Sequence, residues 1–550
     1  MSGKDIGVVA AGSLLVAGLV LARVAGPQEH DHPAPPDEKL GTVRFTTSCA
    51  AAAQPAFTRA VALLHSFAFG AATEAFNQAL GSDPGCAMAQ WGIALCAWGN
   101  PFAAGIKDET QLQQGLDAIG RARTIGAKTG REKEYIEAAA RLFQDSQSVD
   151  QRTRLLAYRD AMAQVAARHP DDSEASIFHA LALAISADPK DKSYASQLKA
   201  GAILEKLWAV QPDHPGIAHY LIHAYDVPSL APRALDAARR YAKIAPSAPH
   251  ALHMPSHTFT RLGLWQESID ANLASAAAAR RERSTSEELH ATDYLMYAYL
   301  QTGQDRAART LLDSLPEIAS RFNPGKVGTG APPAAGYFAI AALPARYALE
   351  RGAWDEAARL VVHDSPFPFT DAMTHYARAL GAARSGDTVL PKAALVALEQ
   401  LRDRLAQKGE AYWSEQVEIE RRTAAAWLRF AEGKRDEALS AMREAAQRED
   451  ATEKNAMTPG PLAPARELLG EMLLELHEPT LALREFEKTL VNEPGRFRAL
   501  AGAVKAAGAA GERETARKYF DQLRKTCERA DRPGRLDPVD PDRAASSVGR

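Results

Sequence analysis

Four cysteines in 550 residues are too few for a disulfide scaffold. Neither sign of charge is in excess: 65 Lys and Arg against 68 Asp and Glu leave a net charge of -3. That balance, with apparent basic runs as short as Ala278–Arg283, argues against nucleic acid as a partner. Aromatic residues make up only 7%, while hydrophobic residues reach 46% with alanine dominant. Such a mixture favours closely packed helices over sheets, and no stretch alternates convincingly as a strand. Phosphate-binding glycine loops, dinucleotide fingerprints and GxSxG elbows are also missing. The glycine-rich KVGTGAPPAAG, Lys326–Gly336, lacks the strand, spacing and lysine of such sites and reads as an inter-repeat loop that could cover a groove.

One uncharged apolar run stands out, Ile6–Ala22, between Lys4/Asp5 and Arg23. Its seventeen residues are borderline for a membrane span. A cleaved signal peptide fits as well, with small residues Val24 and Gly26 at the cleavage site. Residues 1–26 are therefore read as signal peptide or anchor, and 27–48 as a Pro-rich linker, with the rest exported to a bacterial periplasm or anchored facing it. His30 and His32 lie in that linker, where a solvated tether weighs more than a metal trap. Cys49 and Cys86 each precede a predicted helix, so a bridge stapling the first hairpin stands beside the alternative of four unpaired thiols. The tail, 528–550, is read as disordered from its charge and proline content.

From residue 53 onward the apolar pattern is helical, in helices of about 12–15 residues punctuated by Gly, Pro or Asp. Several helix pairs recur at an offset of 34. Ile222, Tyr225 and Ala234 are followed by Ser256, Phe259 and Ser268, with Gly263 at a turn. Gly470, Ala482 and Phe486 are followed by Val504, Ala516 and Phe520. Ala72, Phe76, Ala79 and Pro84 look similar near the start, and looser matches fall at Gly303, Gly352 and Gly433. One hairpin cannot bury its apolar face alone, so such hairpins stack into a curved solenoid. Trp91, Trp208, Trp354 and Trp427 are expected between helices, and His179 in the core.

These residues resemble the tetratricopeptide repeat family: a small residue where helices cross, an aromatic three later, Gly at the turn and Ala in the second helix. The resemblance implies an all-α solenoid over 53–527. It is divided here into N-terminal repeats 49–214, central repeats 215–320, loosely matching repeats 321–460 and C-terminal repeats 461–527. The strings DPGCAMAQWGIA, HYLIHAYD and HALHMPSHTFTRLGLW are also similar to a group of exported bacterial repeat proteins, which implies localisation without mechanism.

The same 34-residue period carries the most specific signal. His219 and His223 recur as His253 and His257, two i, i+4 pairs of one spacing. The resemblance implies that this helix stripe lines the concave groove, with His250 and His290 one inner position further on. Asp293 and Tyr297 then stand at the equivalent places of the next repeat, and Asp226 and Arg261 nearer the turns. Three readings remain open. His219, His223, His253, His257 and Asp293 are candidate ligands of a transition metal such as Zn or Cu. Alternatively Asp226, His250, Arg261, His290 and Tyr297 bind a peptide or anionic group. The third reading is a polar groove of mutually bonded histidines.

Pro255 argues against regular geometry, because proline is comfortable only in a first helical turn and the second pair is expected to splay. HYLIH also carries Tyr220 where a zinc protease motif needs glutamate. No catalytic residue is assigned. The function expected is a protein- or peptide-binding scaffold with a possible metal site, the alternative a metal-dependent hydrolase or oxidoreductase confined to the histidines. Neither the partner nor the oligomeric state is legible.

Overall fold

A computed structural model of the chain describes residues 38–539 apart from 104 and 327. Ile6–Ala22, Val24, Gly26, His30, His32 and 540–550 lie outside the described residues. From Lys39 onward these residues belong to one compact unit, all-α, with no strand among them. No described helix is long and apolar enough to cross a membrane.

Local chemistry explains where helices begin and stop. Asp108 and Gln111 form a reciprocal capping box, and Asp172 accepts from the backbone amides of Glu174 and Ala175. Proline opens the helices Pro215–Ala224, Pro249–His253, Pro255–Arg261 and Pro333–Glu350, where its missing N–H is no loss. Gly263 and Gly303 turn the chain back at φ +67° and +68°, a region that penalises any side chain. Consecutive helices pack on one another throughout, as in Trp265–Arg281 with Thr285–Gln301, so the array is TPR-like in its stacked hairpins.

Alanine at the crossings lets helices approach closely, and the core is correspondingly rich in Ala at zero exposure. Trp91 and Trp427 are buried in it as expected. Trp208 and Trp354 are only half-buried and lie under Arg240 and Arg384. His179 is also half-buried, on the outward side of Ser173–Ile185, rather than in the core.

At both margins of the described residues the chain is more ordered than composition suggests. Residues 39–48, expected as linker, are packed down: Phe45 is 2% exposed against Phe57, Trp91 and Tyr135. Cys49 and Cys86 are bridged, while Cys96 and Cys527 are buried free thiols. Residues 528–539, expected as disordered tail, are held by Leu536 and Val539 in the core and by Arg535 on Asp305. Buried apolar anchors outweigh the polar composition of both segments.

The array closes on itself. Arg346 reaches from Pro333–Glu350 to the carbonyl oxygen of Gly460 and the hydroxyl of Thr458, Trp265 donates to the Gly495 carbonyl, and Lys192 pairs with Glu453. The segment 451–464 therefore lies inside the curve, over the central repeats.

Candidate functional site

Six histidines gather at the centre of this closed curve in two sets of three: His219, His223 and His250, then His253, His257 and His290. Within each set one nitrogen per ring lies within 4.8 Å of the others. His219 and His223 share Pro215–Ala224, one turn apart. His253 ends one short helix and His257 lies in the next, with Pro255 at the junction. The expected splay does not occur. Met254 keeps helical angles of φ -53° and ψ -37°, so the axis runs on and the two Nε2 atoms are 3.1 Å apart.

All six rings are buried, the most exposed being His223 at 9%. Burial pushes His219, His223, His253 and His290 well below the ordinary imidazole range, and neighbouring imidazoles push the same way. Burial also lowers His257, to about 4, although Asp226 pulls it up. Each of these five rings is thus neutral at pH 7, with one N–H and one lone pair.

Partners decide which nitrogen bears the proton. His219 Nδ1 donates to the His65 carbonyl at 2.6 Å, which leaves its Nε2 bare and without a partner. His223 Nε2 and both nitrogens of His250 also have no hydrogen-bond partner. In the second set, the Asn272 amide donates to the Ser268 carbonyl, so its oxygen must be the atom 2.7 Å from His253 Nδ1. Asp226 accepts from His257 Nδ1 at 3.0 Å. Both Nδ1 atoms carry protons, and the two facing Nε2 atoms present lone pairs to each other, with the Tyr294 hydroxyl, shared with the Ala456 and Thr458 carbonyls, 3.3 Å from that of His257.

Such a contact is repulsive unless something electron-poor lies beside both. Two imidazole nitrogens about 2.0–2.1 Å from one ion are about 3.1–3.4 Å apart at near-tetrahedral angles. The N–H of a ligating histidine is characteristically held by a carbonyl or carboxylate, the role filled here by His65, Asn272 and Asp226.

Between the two sets lies a cavity of about 20 Å³, touched by His223, His250, His257 and His290 and closed by Phe102 and Met457. That is room for about one water molecule. Phe102 stacks on His223 at 3.9 Å, and Asn100 donates to the Gly330 carbonyl, so two loops interlock over the first set. Of the glycine-rich stretch expected as a loop, Gly330, Ala331 and Pro332 line this cavity, while residues 333–336 instead open the helix Pro333–Glu350.

A third group of ligating type, His65, Glu174 and His214, is a useful contrast. His65 and His214 both bond Glu174, at 2.9 and 2.8 Å. Their other nitrogens meet the Tyr220 hydroxyl and the Ile217 amide. Burial alone would raise Glu174, but the two imidazoles hold it at about 2. Every polar atom has a partner, so this group is structural.

Other candidate residues fall elsewhere. Asp293 does not join the histidines: it forms a buried ion pair with Arg346 at 2.7 Å. Tyr297 bonds Glu493 and Arg496 in the interior and lines no groove at the histidines. Asp226 and Arg261 pair with each other, and Lys454 joins Asp226. Burial would raise Asp226, but Lys454, Arg261 and His257 hold it well below the carboxylate range. The inner face is thus enclosed at these residues, because segment 451–464 occupies the curve. Asn272, Glu287 and Lys454 escaped the sequence reading. They come from a second helix, a helix start and a distant loop that no repeat register links to the histidines.

No protein-family model and no curated protein matches this chain. Among solved structures it is similar to the human IFIT1 dimer with m7Gppp-AAAA, at 10% identity over 76% of this chain and 86% of that one, with a TM-score of 0.35. A monomeric IFIT1 mutant with Gppp-AAAA gives 11% identity over 80% and 90%, with a TM-score of 0.36. Likeness at this level adds nothing about the site, and the TPR-like architecture lies in the chain's own stacked helix pairs.

Proposed function

We propose that the protein is a TPR-like scaffold whose buried histidine cluster holds a transition metal. One observation carries this reading. His253 Nε2 faces His257 Nε2 at 3.1 Å while Asn272 and Asp226 fix the proton of each ring on the opposite nitrogen. Neutral imidazole donors suit Zn, Cu, Fe or Ni. Metal analysis of untagged protein tests it: stoichiometric metal is expected, and His219→Ala combined with His253→Ala should lose it. A folded wild-type protein that binds none of these ions at micromolar concentration sinks the reading.

Metal-dependent catalysis is the second reading. It is favoured by the water-sized cavity that touches four of the imidazoles. The scaffold reading draws on a larger polar cavity of about 190 Å³, lined by Arg261, Glu453, Lys454, Arg466 and Glu493, which would suit a peptide or other polar partner. We also propose that the protein is exported, on the strength of the apolar run Ile6–Ala22 and the Cys49–Cys86 bridge. Alkylation of the two thiols in protein isolated without reductant checks that: protection of Cys49 and Cys86 is expected, and free thiols at both would contradict it.

A further inference from the structure

We infer that the cluster is a two-ion centre of copper, one ion on each set of three histidines, with a water-sized ligand between them. This rests on the metal-binding reading above and says how many ions, which ion, and where an exogenous ligand enters.

The count follows from the donors. One tetrahedral ion takes four ligands, and six imidazoles would leave buried nitrogens unpartnered at a cost for each. The ligating atoms instead fall into two sets of three. Each set has its own orienting partner: the His65 carbonyl for His219 in the first, Asn272 and Asp226 for His253 and His257 in the second. The sets adjoin, with ring centres of His223 and His257 5.6 Å apart and those of His250 and His253 6.0 Å apart. The cavity lies between them, walled by His223 and His250 from one set and by His257 and His290 from the other. Two metal ions close together, bridged or flanked by one small ligand, fit that arrangement.

The choice of copper follows from charge and coordination number. Two divalent ions would put four positive charges into a buried site. The carboxylates within reach are few: Asp226 is already committed to Arg261, Lys454 and His257. Glu287 Oε2 lies 3.7 Å from His250 Nδ1 with no hydrogen-bond partner, and it is the one carboxylate oxygen here left to balance charge. Uncompensated buried charge is expensive, so a pair of monovalent ions is favoured. Monovalent copper accepts three nitrogen ligands, the number each set offers, and imidazole is among the donors that suit copper.

Anaerobic titration of the full-length metal-free protein with Cu(I), and in parallel with Zn(II), tests the inference. Two copper ions per chain are expected, with zinc saturating at one or fewer. His219→Ala/His223→Ala and His253→Ala/His257→Ala should each retain one copper, with circular dichroism reporting that they fold. Saturation at one copper, lost in either double variant, overturns the two-ion centre and leaves the single-metal reading standing. No metal of any kind removes both. Two zinc ions bound as tightly as copper overturn the choice of metal. If a double variant fails to fold, anomalous scattering from copper-loaded wild-type crystals decides: two peaks, one in each set, are expected, and a single peak overturns the inference.

Discussion

At the scale of single residues, the difference between a histidine that binds and one that packs lies in what its second nitrogen touches. His65 and His214 have both nitrogens bonded, whereas His219, His223 and His250 each have at least one with no partner. Asn272 illustrates the support a ligand needs, since its oxygen fixes the tautomer of His253. Asn272→Ala is expected to weaken metal binding by about 10–100-fold in chelator competition, the usual effect of removing such a partner. Unchanged affinity would mean that His253 does not ligate.

Two carboxyls make a separate residue-scale prediction. Glu420 and Glu449 are half-buried and line a cavity of about 60 Å³ with Phe369, Trp413 and Val417. Burial pushes both up to about 8, and Glu449 adds to the rise at Glu420. Between the unfolded value, about 4.5, and 8 the folded chain holds protons that the unfolded chain releases, so stability falls as pH rises through that window. Glu420→Gln removes one such group. Urea unfolding should show the variant gaining on the wild type by about 1 kcal/mol or more from pH 5 to pH 8, and a gap that ignores pH would refute the assignment.

At the scale of elements, loops decide whether the first set of histidines is closed. Gly330 passes so near His250 that a Cβ there would lie 2.4 Å from ring Nδ1. Gly330→Ala is therefore expected to displace His250, lower stability by about 1–3 kcal/mol and reduce metal binding at the first set while the second keeps its own. Metal analysis together with thermal unfolding checks this, and full occupancy would contradict it. The period of 34 announced that His219/His223 and His253/His257 share one helix stripe. It did not announce that Met254 would keep helical geometry across Pro255, because proline biases the residue before it away from helical angles and only the packing of neighbouring helices holds Met254 against that bias.

At the scale of the molecule, closure of the array converts a surface into an interior. Arg346 ties Asp293 to Thr458 and Gly460, and this holds the 451–464 segment over the cluster. Arg346→Ala leaves Asp293 buried without its cation, and a cost of about 3–5 kcal/mol is expected. Hydrogen exchange at residues 454–462 should rise in the same variant, and unchanged protection there would show that the segment is held by other contacts.

Composition and periodicity alone determined the all-α stacked hairpins, because alanine-rich amphipathic spacing is a local property that each hairpin expresses for itself. They also determined which stripe carries His219, His223, His253 and His257. Only the tertiary structure decided that His250 completes one set and His290 the other, that Asp293 belongs to Arg346, and that the inner face is shut. Those outcomes depend on contacts between residues 65 and 219, 293 and 346, or 226 and 454, which are brought together by the curvature of the whole array and leave no period in the sequence.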